Sequence, residues 1–105
     1  MTTTEQKDLT FINIHYGVEA QGRQAMEECA ELIQAISKVL RKFDKKLFDP
    51  EKETDTFANL KEELADVSIV LDELTLLFGI PKKDLDEVRK EKIQRTISRI
   101  MEEVA

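Results

Sequence analysis

An all-α fold, an antiparallel bundle of about four helices in one domain spanning 1–105, is what this sequence predicts. Composition is the first reason. Only 3 Gly and 2 Pro among 105 residues, with 41% hydrophobic and 36% charged residues, suit helices better than the turn-rich strands of β proteins. Periodicity is the second, since apolar residues recur three and four apart through the middle of the chain. Punctuation is the third: Gly17, Pro50, Gly79 and Pro81 fall between the periodic stretches rather than inside them.

Each element follows in turn. Thr2 and Glu5 have capping-box spacing, which predicts a short helix over 3–15 that Gly17 ends. A second helix is expected over 18–42, with Ala25, Met26, Cys29, Leu32, Ile33, Ile36, Val39 and Leu40 as its apolar stripe. Gly22 lowers helix stability there, and close approach by a backbone or ligand would explain it. The polar stretch 43–56, around Pro50, reads as a connection. Thr56 or Asp55 can cap a third helix over 57–78, with Gly79 just past its end. Pro81 fits the first turn of a fourth helix over 82–103. Short links at Gly17 and Gly79-Ile80-Pro81 favour antiparallel neighbours. A chain this short buries a modest fraction of its surface, so a homodimer or homotetramer is expected.

Charge and cysteine content exclude several functions. With 22 acidic and 16 basic residues the net charge is −6, which disfavours duplex nucleic acid and anionic membrane. The N-terminus has no basic targeting region and no window is apolar enough to span a bilayer. Cys29 is the lone cysteine, so neither an intramolecular disulfide nor a cysteine zinc site is available, and a cytoplasmic location fits. Cys29 shares the phase of the apolar stripe, which predicts a packed thiol. His15 is expected at the surface.

The unusual feature is acid inside apolar helices: EECAE at 27–31 and EELAD at 62–66. Successive helical residues turn by about 100°. Glu63 falls within the apolar arc of the third helix, between Val70 and Leu74, and Asp66 falls beside Leu77. Glu28 sits at the edge of the second helix's stripe, and Glu31 one step further out. Glu27, Glu62, Asp72 and Glu73 read as solvated face charges. A carboxylate on a buried arc is costly unless a charge or metal compensates. A buried salt bridge is one explanation for Glu63. The other is that Glu28 and Glu31 face Glu63 and Asp66 across a groove, where all-oxygen donors suit Mg²⁺ or Mn²⁺.

The last helix gathers Arg89, Lys92, Arg95 and Arg99 beside Ile93, Ile97, Ile100 and Val104. A solvated face paired with Glu87, Glu91 or Glu102 is the plainer account. A phosphate clamp is the functional one, to which Lys38 and Lys42 add from the second helix.

Glu-Glu-x-x-Glu followed by Glu-x-x-Asp, in the frames HYGVEAQGRQAMEECAELIQAISK, NLKEELADVSIVLDELTLLFGI and KIQRTISRI, resembles the all-α nucleoside triphosphate pyrophosphatases, in particular the small MazG-like proteins. Dimeric dUTPases share that superfamily. The resemblance covers about residues 15–100. It implies Mg²⁺-dependent hydrolysis of a nucleoside triphosphate between its α- and β-phosphates, giving a monophosphate and pyrophosphate. Carried over by position, Glu28, Glu31, Glu63 and Asp66 would hold the metal and Glu27 would orient or activate water. Lys92, Arg95 and Arg99 would contact phosphates, in part from a neighbouring subunit, and Gln21, His15 and Tyr16 would lie near base or sugar. The segment between the motifs is a little longer than usual in the family, with the excess in 43–56. No uracil-reading signature is evident.

Two rivals remain in view. A di-iron bundle needs Glu-x-x-His on two helices, and His15 is the one histidine. A non-catalytic, dimerising helical module is the alternative function, supported by a second apolar stripe of Ala58, Ala65, Ile69 and Leu76 on the third helix. Such a module has no need of Glu63 on a buried arc.

Overall fold

A computed structural model describes residues 1–44, 51 and 54–105. Most of the polar connection 43–56, Pro50 included, lies outside the described residues. Among the described residues there are three helices and no strand: α1 (Thr3–Asp44), α2 (Thr54–Leu77) and α3 (Lys82–Val104).

The helix ends are local chemistry. Thr2 and Glu5 form the reciprocal capping box: the Thr2 N–H donates to Glu5 Oε2 at 2.8 Å and the Glu5 N–H donates to Thr2 Oγ1 at 3.1 Å. These donors from Thr2 hold the Glu5 carboxyl below its ordinary value. Gly17 breaks α1 without ending it as a separate element. Its φ of 87° and ψ of 168° are open essentially to glycine alone, so the axis changes direction there. Gly79, at φ 60°, closes α2: its N–H donates to the Leu76 carbonyl at 3.3 Å and the Ile80 N–H donates to the Thr75 carbonyl at 3.0 Å. This pairing satisfies carbonyls that would otherwise be orphaned. Pro81 then caps α3 in extended geometry. α2 starts at Thr54, ahead of the expected 57.

α1 and α2 pair antiparallel. Asn13 and Gln21 meet Glu73, Glu28 is within electrostatic reach of Asp66, and Lys38 shares a cleft with Thr56. The seam on α1 runs Gln21, Ala25, Glu28, Leu32, Ala35, Val39, alternately four and three apart, all buried or half-buried. On α2 it runs Leu60, Glu63, Val67, Val70, Leu74, Leu77 with the same alternation. A 3.5-residue repeat on two facing helices is coiled-coil packing.

Among the described residues the expected bundle of four packed helices is not seen. α3 packs against neither α1 nor α2, and all its residues are exposed. Among the described residues the buried apolar ones are Ala25, Ala35, Val39 and Val70. Cys29 is exposed rather than packed, and so are Met26 (73%), Ile33 (68%), Ile36 and Leu40. The reason is that α1 carries two apolar seams side by side. α2 covers the one through Ala25 and Val39, and the one through Met26, Cys29, Ile33, Ile36 and Leu40 stays open. Glu73 also departs from its expected solvation: it is buried, and Gln21 Nε2 donates to its Oε2 at 2.6 Å.

Candidate metal centre

The seam spacing carries Glu28 and Glu63 into the middle of the α1–α2 interface, since each occupies a position that an apolar residue would fill in an ordinary coiled coil. Both are half-buried. One oxygen from each of Glu28, Glu31 and Glu63 lies within 4.8 Å of the others. Glu31, a turn further along α1, is exposed and reaches in from the rim. Asp66 is half-buried one turn after Glu63, and its charge acts on both Glu28 and Glu63.

The electrostatics are those of an uncompensated site. Burial pushes the Glu28 carboxyl above its ordinary value, and the charges of Glu31 and Asp66 push it further. Burial likewise raises Glu63, followed by the charges of Glu31, Asp66 and Glu28. Glu28 Oε1 accepts a hydrogen bond from Gln24 Nε2 at 2.8 Å, while Glu28 Oε2 and Glu63 Oε2 are buried with no donor. Buried polar atoms are almost always partnered, so these two carboxylate oxygens are exceptions among the described residues. A hard divalent cation fits: the donors are all oxygen, their mutual distances are compatible with one coordination sphere, and the cation offsets the repulsion. No basic side chain pairs with Glu63, which removes the salt-bridge account among the described residues.

Burial and repulsion make a pH prediction. The ordinary value of both groups is 4.5, and folding raises it. Between 4.5 and the raised values the folded chain therefore holds more protons than the unfolded one. Stability falls as pH climbs through that window and stays low above it. Melting in EDTA from pH 4.5 to 7.5 should show a falling midpoint, and millimolar Mg²⁺ should restore it at the upper end. A midpoint that rises with pH in EDTA and ignores Mg²⁺ would contradict the site.

The remaining residues divide clearly. Glu27 is exposed and outside the converging set. Gln21 is buried, and its amide nitrogen is committed to Asn13 Oδ1 at 2.9 Å and Glu73 Oε2. Lys38, two turns beyond Glu31, lines a basic cleft of about 270 Å³ with Arg41, Lys42 and Thr56. Lys92, Arg95 and Arg99 lie on α3 and are not brought to the acids within this chain. Sequence reasoning missed Gln24, Asn13 and Glu73. Gln24 stands four residues before Glu28, a spacing at which helical side chains meet. Glu73 continues the α2 spacing from Asp66 through Val70, a signal available in the sequence. Asn13 lies before the break at Gly17, and its burial carries no such signal.

No helix among the described residues is long and apolar enough to cross a membrane. The chain matches no protein-family model, no curated protein and no solved structure.

Proposed function

We propose that the protein is a Mg²⁺-dependent nucleoside triphosphate pyrophosphohydrolase, cleaving between the α- and β-phosphates to release a nucleoside monophosphate and pyrophosphate. The observation that carries this reading is the pair of donor-less buried oxygens on Glu28 and Glu63, converging with Glu31 in an otherwise apolar seam. The resemblance of EECAE and EELAD to the MazG-like motifs supports it.

Glu28, Glu31 and Glu63, with Asp66 beside them, would hold Mg²⁺, or Mn²⁺ in its place. The bound cation neutralises phosphate charge and lowers the pKa of water. Gln24 orients Glu28 by its hydrogen bond. The attacking water loses a proton, a bond forms from its oxygen to the α-phosphorus, and the bond to the bridging oxygen breaks with pyrophosphate leaving. The role of Glu27 as the group that takes this proton rests on the resemblance alone. Lys38 supports the phosphate tail from α1. Lys92, Arg95 and Arg99 supply positive charge from α3 of a second copy, in a homodimer or homotetramer in the cytoplasm.

The exposed apolar stripes favour a second reading, a helical association module without catalysis. That reading leaves the acids in the seam without a purpose. A panel of ribo- and deoxynucleoside triphosphates with Mg²⁺, assayed for pyrophosphate and orthophosphate, separates the two. Pyrophosphate with the matching monophosphate, abolished by EDTA, is expected. Orthophosphate, or no release from any nucleotide, would sink the enzyme.

A further inference from the structure

We infer that the cleft next to Glu28 reads the base of the nucleotide and selects bases bearing an exocyclic amino group over uracil and thymine. This rests on the pyrophosphohydrolase reading and extends it to the substrate's base. The cleft measures about 350 Å³ and is lined by Ile12, Tyr16, Ala20, Gln21, Gln24 and Glu73. That volume is within the range of small-molecule sites, about 300–1,000 Å³. Gln24 belongs to both places, because it lines the cleft and donates to Glu28. A nucleotide whose phosphates sit at the acids therefore has this cleft within reach of its nucleoside.

The orientation of Gln21 is forced, step by step, by groups that can only accept. Asn13 Nδ2 donates to the Glu73 carbonyl at 3.0 Å, which settles the orientation of the Asn13 amide and turns its Oδ1 toward Gln21. Gln21 Nε2 donates to that Oδ1 at 2.9 Å and to the Glu73 carboxylate at 2.6 Å. Both N–H groups of Gln21 are thus consumed, and what it has left is Oε1, an acceptor. Glu73 is 5% exposed, and a carboxylate there can only accept. Gln24 Nε2 spends one of its two N–H groups on Glu28, so Gln24 keeps a donor as well as its Oε1 acceptor.

The buried end of the cleft, Glu73 with Gln21 Oε1, presents acceptors and wants donors. Cytosine brings its N4 amino group and adenine its N6 amino group, whereas thymine presents the O4 acceptor in the equivalent place. Guanine brings an amino group and a ring N–H. Uracil and thymine offer one ring N–H between two carbonyls, and those carbonyls meet acceptors. The apolar walls, Ile12, Ala20 and the Tyr16 ring, accept any base face. His15 meets Tyr16 edge to face, at 4.7 Å and 87°, and steadies that ring. Selectivity therefore comes from Glu73 and Gln21 Oε1, and general affinity from Tyr16. A site built for a hydrogen bond discriminates strongly against the partner that lacks it.

Calorimetric titration of the full chain in Mg²⁺ with α,β-methylene analogues of dCTP, dATP, dGTP, dUTP and dTTP tests this without turnover. The amino-bearing analogues should bind about tenfold tighter or more, as expected for hydrogen bonds to a charged group. Glu73→Gln, checked for helicity by circular dichroism, should narrow that ratio, because an amide can face a carbonyl with its NH₂. Tyr16→Ala, at a side chain that is 62% exposed, should weaken all five alike and keep the ratio. Equal affinities, tighter binding of dUTP, no binding at all, or a ratio that a folded Glu73→Gln leaves unchanged would overturn the inference. Pyrophosphate release from the ordinary triphosphates is read separately. Equal rates for dCTP and dUTP refute the base selection alone, and selective analogue binding with no release refutes the enzyme alone.

Discussion

Glu63→Gln should reduce Mg²⁺-dependent pyrophosphate release by about two orders of magnitude or more while the protein stays helical. Even groups that merely orient a metal ligand change affinity or activity by about 10–100-fold, so a ligand lost outright belongs at or beyond the top of that range. The expected effect on stability has the opposite sign. Glu63 is half-buried in the seam, its Oε2 has no donor, and burial with the charges of Glu31, Asp66 and Glu28 opposes its ionisation. An amide of the same shape removes a charge that the metal-free fold tolerates poorly. In EDTA at neutral pH the variant should therefore melt above the wild type, and the upward shift produced by Mg²⁺ should shrink. A carboxylate held in a structural ion pair would behave in the reverse way, since removing it would strand the partner charge. Full activity in Glu63→Gln would eliminate the metal centre, and the melting comparison shows whether the carboxylate was strained or paired.

The double substitution Ile93→Asp with Ile97→Asp should convert an associated protein into a monomer and lower the melting midpoint by about 10 °C or more, on the usual scaling for domains of this size. Both side chains are about half exposed on α3, which touches no other helix of its own chain. Were the chain to work alone, such surface changes would alter stability by about 0.5 kcal/mol or less. Among the described residues the buried apolar side chains are two alanines and two valines, with the seam leucines only half-buried. Meanwhile α1, α2 and α3 each present an apolar stripe: Met26, Ile33 and Leu40; Phe57, Leu64, Leu71 and Phe78; Ile93, Ile97 and Ile100. Two-fold pairing of copies covers like patches with like. Sedimentation should find the wild type as a dimer or larger and the variant as a monomer. A monomeric wild type, or a variant that melts and sediments unchanged, would remove the association. Under the proposed function the variant also loses turnover, because Lys92, Arg95 and Arg99 no longer reach the acids of a neighbour.

Helix boundaries were legible because they depend on residues a few positions apart. The Thr2–Glu5 box, the break at Gly17 and the Gly79-Ile80-Pro81 corner need only backbone sterics and one or two hydrogen bonds. Glu63 was legible for a related reason, as helical phase alone places it among Val70 and Leu74. Glu28 was legible only as an edge position. The 3.5-residue seam that α2 imposes moves it inward from where a straight 3.6-residue helix puts it.

By itself, the sequence determined that the chain is helical, where its helices stop and that acids interrupt its apolar stripes. These are properties of single helices, set by capping, glycine conformation and periodicity. The tertiary structure decided which of two apolar seams on α1 is filled, and with it the exposure of Cys29 and the burial of Glu73. It also decided which carboxylates converge: Glu28, Glu31 and Glu63 do so because α1 and α2 pair antiparallel in one register, and a register is a relation between helices that neither helix carries alone.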